Sequence, residues 1–403
     1  MKLVLVHNTY QQAGGEDVVF EQECRNLQQA GHDVVVYRRS NSEIENLETG
    51  PLYRIVLAKN TIWSSSARRD FEALLARETP DLVHVHNTFV MISPSIYSAC
   101  RDRGVPVVQT LHNFRLICPA ASLYRDGGIC EDCLDDRLWN SVRHRCYRGS
   151  RTATTTVALM LATHKVLGTW RESVDTFIAL TAFSRNKFIA AGFDGKKIAV
   201  KPNFVDPDPG PRTNIGDYAL FAGRLSEEKG ASILLAAWRR LTARCPAHII
   251  GDGPERTKLE AQAHRHPHSG ILFRGRLPRE ETVAAVKGAR LLIVPSICYE
   301  SFPMAIAEAM ACGTPVICSR LGAMKEIVED HITGLHFAPG DPDDLAEKID
   351  WALNHPAQLA EMGRAARRQY ETHYTAERNY SILMKIYEQA LNRTVSCVAA
   401  LAN

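Results

Sequence analysis

The stretch of residues 291–318 most constrains the fold, because its pattern predicts a strand, a loop, a helix and a second strand in close succession. Residues 291–294 are an apolar run of strand length, and a second apolar run follows the turn at 313–315. Between these runs, Ser301 and Pro303 supply a capping hydroxyl and a first-turn proline for the start of a helix. This βαβ unit predicts a parallel sheet, in which ligands bind outside the carboxyl ends of the strands.

Two carboxylates and the start of a helix are predicted to meet at this edge of the sheet. Glu300 lies in the loop, and Glu308 lies about a turn and a half into the helix. The free N–H groups at the start of a helix favour an anion. The candidate anion-binding residues are Ser301, Phe302, Pro303 and Met304. Two acids flanking a helix N-terminus could bind hydroxyls on either side of a diphosphate, whereas the alternative is a buried crossover helix with two solvated glutamates.

Length and composition indicate a soluble protein with two domains. The 403 residues exceed one ordinary hydrophobic core, and a net charge of +3 is too small to indicate nucleic-acid binding. No apolar run reaches membrane-spanning length, and residues 1–6 predict a strand rather than a signal peptide, since His7 follows at once. Eleven cysteines without a secretion signal predict a reducing cytoplasm.

Polar residues follow the strands that are predicted in the first part of the chain. Gly14 and Gly15 come after the first strand and would let the backbone approach a ligand closely, although a glycine at this place is common. Glu16, next to them, is predicted to be a solvated first-turn carboxylate, with a ligand contact as the alternative. His84 is predicted to be structural, whereas His112 follows a strand at the edge where functional side chains collect.

Four cysteines mark residues 118–151, where the alternation of strands and helices is interrupted. They are spaced C-x11-C-x2-C-x12-C, at Cys118, Cys130, Cys133 and Cys146. Four thiolates can bind zinc in a tetrahedron, and such an ion would be structural because no coordination position stays open. The alternatives are four reduced thiols or a redox pair.

A basic segment follows the third of these cysteines. Five arginines and no acid lie between residues 137 and 151, together with Trp139 and Tyr147. This composition favours a diphosphate or an acidic lipid surface, and a solvated loop face is the alternative.

A proline- and glycine-rich linker at 206–216 precedes the second predicted domain. That domain begins with a strand, followed by the string Gly-Arg-Leu-Ser-Glu-Glu-Lys-Gly at 223–230. Arg224 offers a planar fork and Lys229 a point charge, which are complementary ways to hold two phosphates. The predicted segments are the domains 1–205 and 206–375 and a last helix at 376–395.

Two strings resemble the signature of the retaining family-4 glycosyltransferases of GT-B fold. They are Glu-Ser-Phe-Pro-Met-Ala-Ile-Ala-Glu-Ala-Met-Ala-Cys-Gly-Thr-Pro-Val at 300–316 and the string at 223–230. The resemblance implies an α/β protein with two doubly wound, Rossmann-like domains facing across a cleft, and a last helix that crosses back to the first domain. It covers nearly the whole chain, but the cysteine insertion is not a general feature of the family.

The resemblance implies transfer of a sugar from a nucleotide diphosphate sugar to an acceptor hydroxyl, with retention of configuration. Glu300 would contact the donor sugar, and Glu308 would contact the ribose. Arg224, Lys229 and the helix N-terminus would stabilise the departing diphosphate without a catalytic metal ion. The departing phosphate oxygen, rather than a protein base, would take the proton of the acceptor.

Further roles follow from the same resemblance. Gly14 and Gly15 would lie against the donor phosphate, and His112 would lie near the reacting carbon of the donor. The nucleobase would be held near Arg274, largely through the main chain. The family often has an aspartate where this chain has Asn113, so the resemblance does not carry a carboxylate role to that position.

The sequence leaves other functions open. A nucleotide-sugar epimerase or hydrolase of the same fold would need dedicated acid–base carboxyls that the sequence does not identify. A non-catalytic nucleotide-binding scaffold is disfavoured because Arg224, Lys229 and both glutamates are present. Asp-x-Asp strings at 206–208 and 341–343, typical of metal-dependent transferases, lie in proline-containing connectors.

The expected partners are a nucleotide-sugar donor and a glycan or polyprenyl-linked acceptor in cell-surface polysaccharide synthesis, with no nucleic acid. The predicted location is the cytoplasm, with the basic segment on the cytoplasmic face of the inner membrane.

Overall fold

The chain divides into two compact units in a computed structural model that describes residues 1–11, 14–44, 50–135, 137–265 and 270–401. The first unit comprises Met1–Ser122, Glu131–Pro202 and Asn379–Asn403. The second unit comprises Leu123–Cys130 and Asn203–Arg378. The sequence prediction placed residues 123–130 in the first domain, whereas these residues group with the second unit.

The first unit is built on a parallel sheet whose central strands are buried and mostly apolar. The strands up to residue 200 are, in chain order, β1 (Lys2–Thr9), β2 (Asp33–Ser40), β3 (Leu82–Asn87), β4 (Val107–Leu111), β5 (Tyr124–Arg125), β6 (Gly128–Ile129), β7 (Thr176–Ala179) and β8 (Ile198–Val200). Six of them form the sheet in the order β2-β1-β3-β4-β7-β8, while β5 and β6 pair as a separate antiparallel hairpin. The strand order reverses between β1 and β3, which is where ligands bind in such sheets.

Helices connect these strands and cover the sheet. They are α1 (Gly15–Gln29), α2 (Pro51–Ile62), α3 (Ser65–Glu78), α4 (Ser95–Asp102), α5 (Trp139–His144), α6 (Arg151–Val166), α7 (Thr169–Ser173) and α8 (Ala182–Ala190). Ser64 and Ser150 cap α3 and α6 by accepting backbone N–H bonds, which satisfies groups that the helix itself leaves open.

The second unit has the strand order of a Rossmann sheet, β11-β10-β9-β12-β13-β14. Its strands are β9 (Ala219–Ala222), β10 (Ala247–Ile250), β11 (Ile271–Gly275), β12 (Leu291–Val294), β13 (Val316–Ser319) and β14 (Gly334–Phe337). The helices that follow α8 are α9 (Ala231–Trp238), α10 (Arg256–His264), α11 (Arg279–Gly288), α12 (Met304–Cys312), α13 (Gly322–Ile327), α14 (Pro342–Asn354), α15 (Pro356–His373) and α16 (Ala376–Leu401). The switch point of this sheet lies between β9 and β12.

Helix α12 begins later than the sequence predicted. Pro303 is the N-cap, with an extended ψ of 103°, and no side chain caps the helix. The capping role predicted for Ser301 and the first-turn position predicted for Pro303 are therefore wrong. Phe302 precedes a proline, which disfavours helical backbone at that residue, so the helix starts only after the proline.

The last helix, α16, completes the core of the first unit. Leu383, Ile386 and Tyr387 of this helix are buried in one apolar cluster with Leu3 and Phe20. Burying a side chain of this size contributes about 1.5–3 kcal/mol, so a single face of α16 accounts for several kcal/mol of stability. None of the described helices is both long and apolar enough to cross a membrane.

Candidate active site

The switch point of the second unit brings together two residues that the sequence singled out. Lys229 follows β9 and Glu300 follows β12, and the Lys229 Nζ donates to Glu300 Oε1 at 2.5 Å. The Ser296 hydroxyl donates to the same oxygen at 2.8 Å. The carboxylate is thus held in one place by a cation and a neutral donor.

Glycine at position 230 makes this approach of the two loops possible. Gly230 has a φ of +71°, and a Cβ there would lie 1.9 Å from the carbonyl oxygen of Pro295. A larger residue would therefore separate the loop that carries Lys229 from the loop that carries Glu300. The Ile297 N–H also donates to the Glu228 carbonyl oxygen at 2.9 Å, which fixes the two loops to each other.

The charge of Lys229 is maintained by its surroundings. Burial alone would lower the pKa of Lys229, but the Glu300 carboxylate raises that pKa above its usual range. The side chains of Lys229 and Glu300 are 28% and 14% exposed, so an incoming ligand can still reach both. Arg224, on the same loop, is exposed and makes no hydrogen bond or ion pair with the described residues, which leaves its guanidinium available to an anion.

The start of α12 lies directly after this carboxylate. Met304 and Ala305 open the helix, so their N–H groups have no helical acceptor. Phe302 is buried, and its ring packs edge-on against Tyr374 at 5.6 Å between centroids. Together with Pro303, this packing fixes the direction in which the helix N-terminus points.

Glu308 lies on the fifth residue of α12 and is largely buried. Its Oε1 is 3.7 Å from Nε of Arg279 on α11. Burial raises the pKa of Glu308, and the Arg279 guanidinium opposes this shift. The ribose contact implied for Glu308 stays a prediction.

Arg274 is exposed on β11, at the edge of the same sheet. Burial and then the Arg274 charge lower the pKa of His248, whose ring stacks on Tyr218 at 4.0 Å. At the carboxyl end of β11, the Gly251 N–H donates to the Gly275 carbonyl oxygen at 2.8 Å. Hydrogen bonds within the main chain therefore hold this edge of the sheet in place. The nucleobase contact near Arg274 stays a prediction.

In the first unit, the glycine loop leads into α1. Gly14 is the N-cap of this helix, and its N–H donates to Asp17 Oδ2 at 2.8 Å. Asp17 Oδ1 lies 2.9 Å from Nε2 of His7 on β1, so one carboxylate joins the strand and the loop. A Cβ at Gly14 would meet no atom within 4 Å, which leaves room for a ligand beside the backbone. The phosphate contact implied for Gly14 and Gly15 stays a prediction.

Glu16 is not a solvated carboxylate, so that prediction is wrong. Glu16 Oε2 accepts hydrogen bonds from the Tyr10 hydroxyl and from Asn113 Nδ2, each at 3.2 Å. Burial, followed by the neighbouring Asp17 charge, raises the pKa of Glu16 to about 8. Sequence reasoning missed this carboxyl because its partner Asn113 is remote along the chain.

His112 follows β4 and lines a pocket together with His86, Asn113 and Arg115. The Nε2 atom of His112 lies 2.9 Å from Nδ1 of His86. Burial, and then the neighbouring His86, hold the pKa of His112 well below its usual range, so the ring is neutral at pH 7. The structural role predicted for His84 is confirmed, because Tyr387 and Thr110 contact its two ring nitrogens at 2.8 Å.

The four cysteines lie outside the helices and strands, and Cys133 and Cys146 are in turns. Cys118 is buried after β4, and Cys133 is buried in a turn that follows the hairpin. Cys130 directly follows β6, and its N–H donates to the Leu123 carbonyl oxygen at 2.9 Å. Cys146 follows α5, and its N–H donates to the Ser141 carbonyl oxygen at 3.0 Å. The zinc site stays a prediction.

Comparison with known proteins identifies the family. The model of the family described as Glycosyltransferase Family 4 matches residues 13–209, and that of Glycosyl transferases group 1 matches residues 212–369. The chain is similar to the 2-deoxystreptamine glucosyltransferase of Streptomyces kanamyceticus, at 26% identity over 89% of this chain and 92% of that protein. It is also similar to a glycogen synthase of Mycobacterium tuberculosis, at 35% identity over 39% of this chain and 38% of that protein.

Solved structures share the fold. HepE of Anabaena, in complex with UDP-glucose, has a TM-score of 0.68 at 18% identity, over 98% of this chain and 100% of that chain. The sucrose-phosphate synthase of Thermosynechococcus elongatus has a TM-score of 0.68 at 19% identity, over 97% of this chain and 99% of that chain. The predicted fold class and family are confirmed, and the chain belongs to the GT-B glycosyltransferases of the group 1 and family 4 type.

Proposed function

We propose that this glycosyltransferase moves a sugar, with retention of configuration, from a nucleotide diphosphate sugar to a hydroxyl of a glycan or polyprenyl-linked acceptor. The observation that carries the proposal is the Lys229–Glu300 pair beside the N-terminus of α12. Negative charge develops on the diphosphate as the bond to the sugar breaks. Fixed positive groups at that place stabilise the transition state more than the bound donor.

The residues around the switch point of the second unit have separate parts in the proposed reaction. Lys229 and Arg224 hold the diphosphate, and the open N–H groups at Met304 and Ala305 face the same charge. Glu300 accepts hydrogen bonds from hydroxyls of the donor sugar while it orients Lys229. Glu308 binds the ribose. The complex of HepE with UDP-glucose makes a uridine diphosphate sugar the first donor to test.

We propose that no catalytic metal takes part, because cationic side chains supply the charge that a metal would supply. The aspartates of the two Asp-x-Asp strings already have structural partners. Asp208 accepts from two guanidinium nitrogens of Arg367 at 2.7 Å. Asp341 caps α14 by accepting from the N–H groups of Asp343 and Asp344.

Glu16 is the observation that favours a second candidate, a nucleotide-sugar hydrolase. A carboxyl with a pKa near 8 is protonated at pH 7 and can donate a proton. The sequence offered no such acid, and its presence beside Asn113 gives the hydrolase a candidate residue. Dependence of the reaction on an acceptor separates the two functions.

Nucleotide release tests the proposed reaction. The protein is incubated with UDP-glucose, and UDP is measured with and without a synthetic polyprenyl-diphosphate-linked sugar. We expect UDP release only with the acceptor, since a transferase shields the donor from water. Equal release without the acceptor would identify a hydrolase. If none of the UDP-, GDP- and dTDP-sugars raised the melting temperature, the proposal would be overturned.

The variant Glu300→Gln tests the carboxylate. The amide oxygen can still accept from Ser296, so we expect a folded protein in which Lys229 has lost its anionic partner. The ratio kcat/KM should fall about 100-fold or more, as for the loss of one strong transition-state contact. The matched control is Glu260→Gln, which removes an equivalent carboxylate from a 2.8 Å pair with Arg256 on α10. Equal turnover of the two variants would reject the role of Glu300.

A membrane-bound acceptor is proposed from the basic segment. All five of its arginines are exposed, and Trp139 is 60% exposed. Such a surface favours the anionic face of a bilayer. We expect the protein to sediment with vesicles of phosphatidylcholine and phosphatidylglycerol at low salt and to be released by about 0.5 M salt, since screening weakens surface charge interactions. Substituting Arg137, Arg143 and Arg145 by Gln should abolish sedimentation, and equal binding to neutral vesicles would contradict the proposal.

A structural zinc ion is proposed from the cysteine spacing alone. Metal analysis of protein purified without chelator should give about one zinc per chain, as four thiolates bind one ion. The variant Cys133→Ser should lower both the zinc content and the melting temperature, because metal binding stabilises the folded state. Less than about half a zinc per chain would argue against the site.

A further inference from the structure

A line of buried polar side chains joins α1 to His112. Glu23 on α1 is fully enclosed, and its Oε1 lies 3.1 Å from both His84 Nδ1 and His86 Nε2. The Nδ1 atom of His86 in turn lies 2.9 Å from Nε2 of His112. The side chains of Glu23, His84 and His86 are at most 2% exposed, so water does not compete for these contacts.

The carboxylate at the inner end of this line is ionised. Lys201, which follows β8, places its Nζ 2.6 Å from Glu23 Oε2, and it also donates to Asn379 Oδ1 at 3.1 Å. Burial alone would raise the pKa of Glu23, but Lys201 and then His84 hold that pKa well below its usual range. An ionised carboxylate only accepts hydrogen bonds, so it determines where its neighbours carry their protons.

The position of the proton on each histidine determines the position of the proton on the next. Burial lowers the pKa of His86 to about 3, so its ring is neutral and has one N–H group. Glu23 Oε1 and His86 Nε2 lie 3.1 Å apart without meeting hydrogen-bond geometry, but a carboxylate oxygen this close repels a lone pair on the ring nitrogen. The N–H of His86 therefore lies on Nε2, which leaves its Nδ1 with a lone pair. That lone pair accepts from Nε2–H of His112. Because His112 is neutral as well, its Nδ1 keeps a lone pair.

We infer that Glu23 and His86 are positioning residues that hold His112 in the Nε2–H tautomer, so that its Nδ1 accepts a hydrogen bond from a substrate hydroxyl in the pocket. The hydroxyl belongs to the sugar or to the acceptor, and this part rests on the proposed function. The tautomer itself does not, because it follows from the geometry of the first unit. A ring that was free to exchange tautomers would offer this lone pair only part of the time.

A metal ion is the main alternative for the same residues. Ligand atoms of Glu23, His84 and His86 lie within 4.8 Å of one another, which is close enough to hold an ion. However, Lys201 already neutralises the carboxylate, and Thr110 and Tyr387 occupy both ring nitrogens of His84. A divalent cation would be placed close to an ammonium group, which opposes its binding. The cluster therefore fixes the positions of protons and does not bind a metal ion.

Histidine tautomers can be measured directly in the full-length protein. Long-range ¹H–¹⁵N correlation on protein labelled with ¹⁵N-histidine distinguishes Nε2–H from Nδ1–H rings, and the variant His112→Asn assigns the signal of His112. We expect an Nε2–H ring for His112 at pH 7 and no change on treatment with EDTA. A His112 ring that is Nδ1–H or mixed in the wild-type protein would overturn the inference, as would ring signals of His84 and His86 that shift when EDTA is added.

Two variants of His86 separate positioning from packing. His86→Phe keeps the bulk but removes the acceptor, so we expect a mixed tautomer at His112 and a loss of about tenfold in kcat/KM, the rate equivalent of one ordinary hydrogen bond. His86→Asn places an amide oxygen near the former Nδ1 and should restore most of the activity and the Nε2–H signal. An unchanged His112 tautomer in His86→Phe would overturn the inference.

Tyr387→Phe is the matched control, because it removes a 2.8 Å contact to His84 on the side of the cluster away from His112. We expect it to lower the melting temperature while His112 and kcat/KM stay unchanged. An equal loss of activity in Tyr387→Phe and His86→Phe would assign the cluster a structural role only. Tautomers are read without substrate, so a protein that shows the expected ring but no transfer would contradict the proposed function and not the tautomer.

Discussion

The close approach of two loops at the switch point of the second sheet is the constraint on which the site depends. Gly230 permits it, because any side chain there would collide with the carbonyl oxygen of Pro295. The approach places the ammonium of Lys229 against the carboxylate of Glu300, just before the open end of α12. A cation then contacts an acid that lies four residues before the start of a helix, and an anion that carries hydroxyl groups suits all three.

The first unit likewise pairs a cation with a carboxylate, but there the pair is buried. The ion pair between Glu23 and Lys201 lies beside β3, the strand that carries both His84 and His86. Breaking such a pair by removing one partner costs about 3–5 kcal/mol, so the stability of the first unit depends on both members. The pair also lies next to α16, since Asn379 bonds Lys201 and Tyr387 bonds His84. The burial of the last helix and the position of His84 are consequently linked.

Local patterns explain what the sequence predicted well. The strand, loop, helix and strand around Glu300 were predicted because apolar runs, glycine and proline act over a few residues. Contacts between residues that are far apart in the sequence leave no such local pattern. Glu23 and Lys201 are 178 positions apart, and Asn113 and Glu16 are 97 positions apart. Nothing local shows that these side chains meet, so the buried acid Glu16 was interpreted as a surface residue. The cap of α12 was missed although its cause is local, because Pro303 itself disfavours helical backbone at Phe302.

The most direct test of the central claim compares two ligands that differ by one phosphate. Isothermal titration calorimetry gives the affinity of UDP and of UMP for the wild-type protein and for Lys229→Met. If Lys229 holds the outer phosphate, the substitution weakens UDP by about tenfold or more and leaves UMP nearly unchanged, because any change in the free protein cancels in the comparison. An equal loss for both ligands, or no loss for either, would contradict the account.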